Sequence, residues 1–587
     1  MRKERGVDRL NMSLQKRAAP SGDVHDSLRR GVTLQREASK EFYRALNRAN
    51  KAEADGKPDL AIDWCRYGAS VAWWSNPGFL YCHEMEQLLT EVGRDYGKPL
   101  TNSLSAKWPP NRFLHVMTTA YETGGHTRVV ARWIETCAQY APTEQHSILI
   151  SKQGDERLPA WLARATHKGG GELSRLSSTL SCLEAARELR AKSLDFDVVV
   201  LHIHPNDPLP NLAFHDQPRP VMFFNHADHV FTLGMDVARV IADYRFIGQD
   251  VSSRLRAKRP RKAIIPIPLI DDQSFPADKA DARRKLGLPA DALVALTIGQ
   301  AYKFRPVFGY SFPEAVQAIC NGDPRVIFVA IGDPESQPWG KLRQSTQGRF
   351  RSVGEVADPA ILELYYSSAD VYLDSFPSGS LTAALDAARH ALPVQRLNIP
   401  FQPLLHSDDL ALDSNLTGAS SQSDYVEGVL QWLRWSDDQR SELGGRLRAA
   451  VLQEHFGASW KTKWLDVAVS ALSAPCDDPV QSPLGPPQGE QDLYLGLAEL
   501  GLLDRPASMF VAAAVLGLND LPRPIRMSGL MHSFRPLLFD TVHDGRARER
   551  FLSFKDLTKT VLPKTLMTGV RKVLRPTGKR MRIDKSR

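Results

Sequence analysis

Ordered cysteine chemistry is missing from this chain. Its six cysteines, Cys65, Cys82, Cys137, Cys182, Cys320 and Cys476, form no Cys-x-x-Cys pair and no regular spacing. That argues against a disulfide framework and fits free thiols in a reducing cytosol. Long apolar runs are missing too. The run Met509 to Leu518 near the C-terminus is too short to cross a bilayer, which takes about 20 residues. No apolar stretch follows the Met-Arg-Lys start, so a cytoplasmic location is expected rather than secretion. The last residues lack aromatics: none follows Phe554, which leaves nothing to stack on nucleic-acid bases, so no nucleic acid is expected as a partner. Negative charge is scarce there as well. From Lys555 onward eleven Lys or Arg face only Asp556 and Asp584, nine net positive charges against +8 for all 587 residues. The rest of the chain is therefore close to neutral. Apolar content of 42% and charged content of 24% are those of a soluble globular protein, and the length implies several domains.

The most informative stretch runs from Asp370 to Val394. It reads as a buried strand (Val371, Tyr372, Leu373), a loop of Ser, Pro and Gly, and a helix opening near Thr382. Such a turn offers unpaired N–H groups and the positive end of a helix dipole, which suits a phosphate. Gly379, Ser380, Leu381 and Thr382 would line it, and Asp386 falls one turn further on, where a carboxylate can meet a ribose hydroxyl. A second segment lies about seventy residues upstream. Its apolar strand ends at Gly299, its polar loop carries Gln300, Lys303 and Arg305, and a helix follows from Pro313. Lys303 can reach a diphosphate as a mobile point charge.

Together the two segments resemble nucleotide-sugar glycosyltransferases of the GT-B fold, above all the O-linked N-acetylglucosamine transferase family. That family has a Gln-x-Tyr-Lys loop and later Leu-Asp-x-x-Pro, a Gly, Thr residues and an Asp. This chain has Gln300, Tyr302 and Lys303, then Leu373, Asp374, Pro377, Gly379, Thr382 and Asp386. The resemblance implies an α/β fold of two Rossmann-like domains facing a cleft. It also places Val353 and Gly354 against the base through backbone groups. The donor would be a nucleotide sugar, a UDP-sugar, acting as co-substrate. No Asp-x-Asp motif sits in a strand-end loop, so neither a metal nor another cofactor is expected. The retaining family four carries Glu, seven residues, then Glu. Ser378 stands at the first of those positions, which leans the resemblance toward the inverting family.

Upstream, strands are expected at 113–118, 146–151, 197–204, 220–229 and 244–248, with 264–269 leading to the second domain. Gly124-Gly125 follows the first and resembles the Gly-Gly loop of many GT-B enzymes. Three candidates for the base that takes the acceptor proton lie beside these strand ends: His126, His226 and Asp228. His202-Ile203-His204 is also the pattern that opens some metal-dependent hydrolases, a reading that needs further ligands.

The expected organisation is a basic, poorly ordered segment (1–35), a helical region resembling one tetratricopeptide hairpin (36–110), an acceptor-side domain (111–270), a donor-side domain with closing helices (271–473), a Pro-rich linker (474–490) and a helical segment with a basic tail (491–587). No 34-residue period recurs, which argues against a superhelix. The function expected is transfer of a sugar to a glycan, a lipid-linked glycan or a protein. The alternatives are a non-catalytic scaffold and a nucleotide-sugar epimerase. The tail is expected either to be solvated or to rest on an anionic membrane at the inner face of the cell.

Overall fold

The computed structural model describes residues 22–75, 77–97, 107–122, 125–154, 157–216, 219–257, 259–270, 278–304, 306, 309–332, 337–399, 406–416 and 418–472. Gly124, Arg305, the Pro-rich stretch and the basic tail lie outside these residues.

Helices Gly22–Ala54, Pro58–Ser75 and His83–Tyr96 open the fold. Phe42, Ala45, Leu46, Ala49 and Ala52 are buried, while Arg44, Asn47 and Arg48 between them are exposed. That is the stripe expected of an amphipathic helix. The first helix starts at Gly22, within the segment expected to be poorly ordered. These helices dock on the first sheet domain through buried polar groups. Glu86 accepts hydrogen bonds from Asn211 Nδ2 at 3.0 Å and from the N–H groups of Met235 and Asp236 at 3.1 and 2.7 Å. The buried Arg256 donates to the carbonyls of Leu80, Asp228 and Val230 at 3.2, 3.0 and 2.9 Å.

Seven parallel strands form the first sheet: β1 (Arg112–Met117), β2 (Gln145–Ile150), β3 (Gly170–Arg175), β4 (Val198–His202), β5 (Val221–Asn225), β6 (Val240–Asp243) and β7 (Arg261–Ile264). Their order is β3-β2-β1-β4-β5-β6-β7. Runs such as Val198–Leu201 and Val221–Phe224 are wholly buried. This explains why they read as unbroken apolar segments, since a parallel sheet is covered on both faces. One expectation fails here, and one strand was not foreseen. Residues 244–248 are not a strand: β6 ends at Asp243 and a helix begins at Phe246. The polar edge strand β3, with its partly exposed pattern, has no apolar signal to read.

Five parallel strands form the second sheet: β8 (Leu293–Ile298), β9 (Val326–Ile331), β10 (Phe350–Gly354), β11 (Val371–Leu373) and β12 (Val394–Gln395), in the order β10-β9-β8-β11-β12. Each sheet is Rossmann-like. The strand order reverses between β1 and β4 in the first and between β8 and β11 in the second. With helical extensions around them, the two domains form the expected GT-B architecture. The last helix among the described residues, Gly457–Leu472, returns to the first domain. Trp460 and Trp464, both fully buried, meet Trp133 with ring centroids 5.3 and 4.6 Å away.

Candidate functional site

In an open parallel sheet, ligands collect at the carboxyl edge where the strand order reverses. Here the two carboxyl edges face each other. The helix Gly125–Tyr140 leaves the reversal point of the first sheet, and Leu381–Arg389 leaves that of the second. Their first turns approach so closely that a Cβ on Gly125 would lie 3.0 Å from Thr382 Oγ1. That close approach accounts for a glycine at 125. Arg132, two turns along the first helix, donates through Nη2 to both oxygens of Asp386 at 2.9 Å. Burial pushes the Asp386 carboxyl up, and Arg132 and Arg389 outweigh it, holding the group below its usual range. Asp386, expected at the ribose, thus bridges the two domains.

On the second domain, Lys303 comes from a short 3-10 turn after β8, and its Nζ donates to the carbonyl of Gly379 at 2.6 Å. The two expected donor loops are thereby joined. Asp374, at the end of β11, accepts from the Ser380 N–H at 2.7 Å, and Ser375 Oγ lies 3.1 Å from Ser380 Oγ. Burial raises the Asp374 carboxyl pKa. The next N–H groups, of Leu381, Thr382 and Ala383, have no acceptor among the described residues. Open N–H groups at a helix N-terminus are the local feature that suits an anion. Gly379 belongs there for steric reasons, since a Cβ would come within 2.2 Å of Ser407 Oγ. Gln300 donates to Glu355 at 3.1 Å. Gly354 ends β10 at a φ of 84°, a left-handed conformation suited to glycine, and its carbonyl accepts from Gly332. Val353 beside it is exposed.

On the first domain, the rings of His126 and His226 lie against each other with centroids 4.0 Å apart and planes tilted by 32°. Both are partly exposed. His126 Nε2 and His226 Nδ1 have no partner among the described residues. Burial, followed by the neighbouring imidazoles, lowers both pKa values, that of His226 to about 4. Both rings are therefore neutral at pH 7.

Asp228 is placed differently. It is fully buried and clamped by Arg245, with Nε to Oδ2 at 2.5 Å and Nη2 to Oδ1 at 2.7 Å. Burial raises its pKa, but Arg245 more than reverses this and holds it well below the carboxylate range. A carboxylate so stabilised is a poor base, so the geometry argues against Asp228 as the proton acceptor. Its partner Arg245 also reaches Asp408 of the second domain at 3.3 Å, which makes the pair a second bridge.

The His-x-His pattern does not converge on one point. His202 bonds His115, whereas His204 bonds Thr119 Oγ1 and the Tyr121 hydroxyl at 3.1 and 3.3 Å. Among the described residues one cluster brings three ligand-type atoms within 4.8 Å of one another: Cys137, Glu144 and His146. The Lys461 ammonium already holds Glu144 at 2.9 Å, so a cation there would meet a charge of its own sign.

Arg132, Arg245 and Glu144 were missed in the sequence. Arg132 lies on an amphipathic helix and Arg245 in a largely apolar segment. A charge in such a setting is the available hint of a buried partner.

No family model and no curated protein matches the chain. Among solved structures, a mutant of Thermobaculum terrenum O-GlcNAc transferase is 16% identical with a TM-score of 0.47, over 76% of this chain and 87% of that one. Anabaena HepE in complex with UDP and glucose is 12% identical with a TM-score of 0.47, over 62% and 99%. Neisseria meningitidis UDP-GlcNAc 2-epimerase bound to UDP-GlcNAc is 11% identical with a TM-score of 0.40, over 62% and 99%. These likenesses are distant, and the fold stands on its own strand orders.

Proposed function

We propose that this protein transfers a sugar from a nucleotide-sugar donor, a UDP-sugar, to an acceptor hydroxyl. One observation carries the reading: the anion cradle of Lys303 and the N–H groups of Leu381 and Thr382 sits across the Gly125–Thr382 contact from His126 and His226. Breaking the anomeric carbon–oxygen bond leaves negative charge on the diphosphate. Fixed donors aimed at that charge lower the barrier. The acceptor must lose a proton as the new bond forms, and a neutral imidazole with a bare nitrogen can take it. Diphosphate charge nearby raises the histidine pKa toward neutrality, so donor binding itself strengthens the base. His126 and His226 remain the two candidates. The acceptor is a glycan, a lipid-linked glycan or a protein side chain, and the basic tail would hold the enzyme at an anionic membrane.

The deciding experiment incubates the full chain with a panel of nucleotide sugars and follows the nucleotide and the sugar separately. Nucleotide release that accelerates with an acceptor supports transfer. Conversion to an isomeric nucleotide sugar would replace this reading by an epimerase. Binding without turnover would replace it by a scaffold role.

A further inference from the structure

Three fully buried histidines form a continuous line through the first sheet. His202 ends β4, His115 lies in the middle of β1, and His146 stands at the start of β2. Register places His202 opposite Met117 and His146 opposite Phe113. The three rings therefore occupy alternate levels of one sheet face, over roughly 13 Å of strand. His202 Nε2 lies 3.0 Å from His115 Nδ1, and His115 Nε2 lies 3.0 Å from His146 Nδ1. The line ends at Glu144, whose Oε2 lies 3.3 Å from His146 Nε2 while Oε1 accepts from Lys461 at 2.9 Å. At the other end, His202 Nδ1 has no partner among the described residues, and its ring lies 6.4 Å from that of His126.

The direction of this line follows from hydrogen-bonding capacity. An ionised carboxylate only accepts. His146 must therefore carry its proton on Nε2 and accept at Nδ1. His115 must then donate from Nε2 and accept at Nδ1, and His202 must donate from Nε2. Burial disfavours the charged form of all three imidazoles, which keeps each to one proton. His202 is left with a bare Nδ1.

We propose that Glu144, His146 and His115 are positioning residues that set the tautomer of His202. His202 then keeps a bare, buried Nδ1 behind the ring of His126, 6.4 Å from it between centroids. The bare Nδ1 of His202 can then only accept a hydrogen bond, from a neighbouring ring N–H or a hydroxyl such as a sugar carries, and offers nothing to an anion. The role in turnover rests on the glycosyl-transfer reading; the tautomer assignment does not.

Glu144→Gln provides the test. Lys461 can only donate, so it keeps the glutamine oxygen and turns the amide N–H toward His146. Every donor and acceptor in the line then reverses. Long-range proton–nitrogen NMR on the full chain with labelled histidine should show Nε2–H for His202, His115 and His146 in the wild type and Nδ1–H in the variant. A wild-type His202 protonated on Nδ1 overturns the proposal whether or not the variant folds. So does a variant with unchanged tautomers. Where transfer is measurable, kcat should fall on the order of 10- to 100-fold with donor KM unchanged, as when a histidine loses the group that orients it. Unchanged kcat with reversed tautomers would overturn the catalytic part alone. Absence of transfer in the wild type would instead remove the proposed function and leave the NMR result standing.

Discussion

Asp386→Ala should cost stability before it costs nucleotide affinity. Both oxygens of this buried carboxylate accept from Arg132 at 2.9 Å, and Arg389 Nε lies 3.6 Å away. The side chains of Arg132 and Asp386 are 13% and 7% exposed, so neither charge is well solvated. Arg389 keeps a second partner in Glu363 at 2.6 Å, which leaves Arg132 as the orphaned group. Removing one member of a buried pair costs about 3–5 kcal/mol. Partial exposure of Arg132 favours the lower end, roughly 3 kcal/mol. Arg132→Met should cost a similar amount by orphaning Asp386. The double variant should cost clearly less than the two together, because no uncompensated charge remains. Urea unfolding of the four proteins gives the cycle, and calorimetry with UDP gives affinity in parallel. An Asp386→Ala protein as stable as the wild type, yet deficient in UDP binding, would refute the bridging role and restore the ribose assignment.

Lys303→Ala should slow transfer on the order of 10²-fold or more, because it removes a charge aimed at the leaving diphosphate; near-normal turnover would take Lys303 out of the site. Asp243→Asn should stabilise the protein at alkaline pH. Burial, followed by the nearby Asp228, pushes the Asp243 carboxyl up to about 7, and its Oδ2 has no partner among the described residues. The native state thus holds a proton that the unfolded chain releases above about 3.8. That contribution to stability is present below this pH and is lost as pH rises through about 7. The advantage of the asparagine variant should grow over that window to a few kcal/mol at most, and a pH-independent difference in unfolding midpoint would contradict it. A chain ending at Phe554 should lose co-sedimentation with anionic vesicles at low salt, since each basic side chain near such a surface contributes roughly 1 kcal/mol; equal binding of both chains would remove the membrane role.

Much of the second sheet domain was legible because its signals are local. The βα turn at Leu373–Thr382 and the helix after Ser311 follow from apolar runs, small residues and capping chemistry within a few positions. The roles of Asp386 and Asp228 were not. Each has its partner far off in the chain or on an element misread in the sequence. Arg132 precedes Asp386 by 254 residues, and Arg245 lies where a strand was expected but a helix N-cap stands. The edge strand β3 was illegible for another reason. It is only half covered, so burial imposes no apolar pattern on Gly170–Arg175.

The sequence by itself determined two parallel sheets, the helices that cover them and the phosphate-type turn, because strand burial and helix-terminus chemistry act over short stretches. Tertiary structure alone decided which charges are spent on holding the domains together and which remain for a ligand. It also decided that His202, His115, His146 and Glu144 form one line. Hydrogen bonds and ion pairs depend on distances of a few ångströms between groups far apart in the chain, and no local pattern encodes those distances.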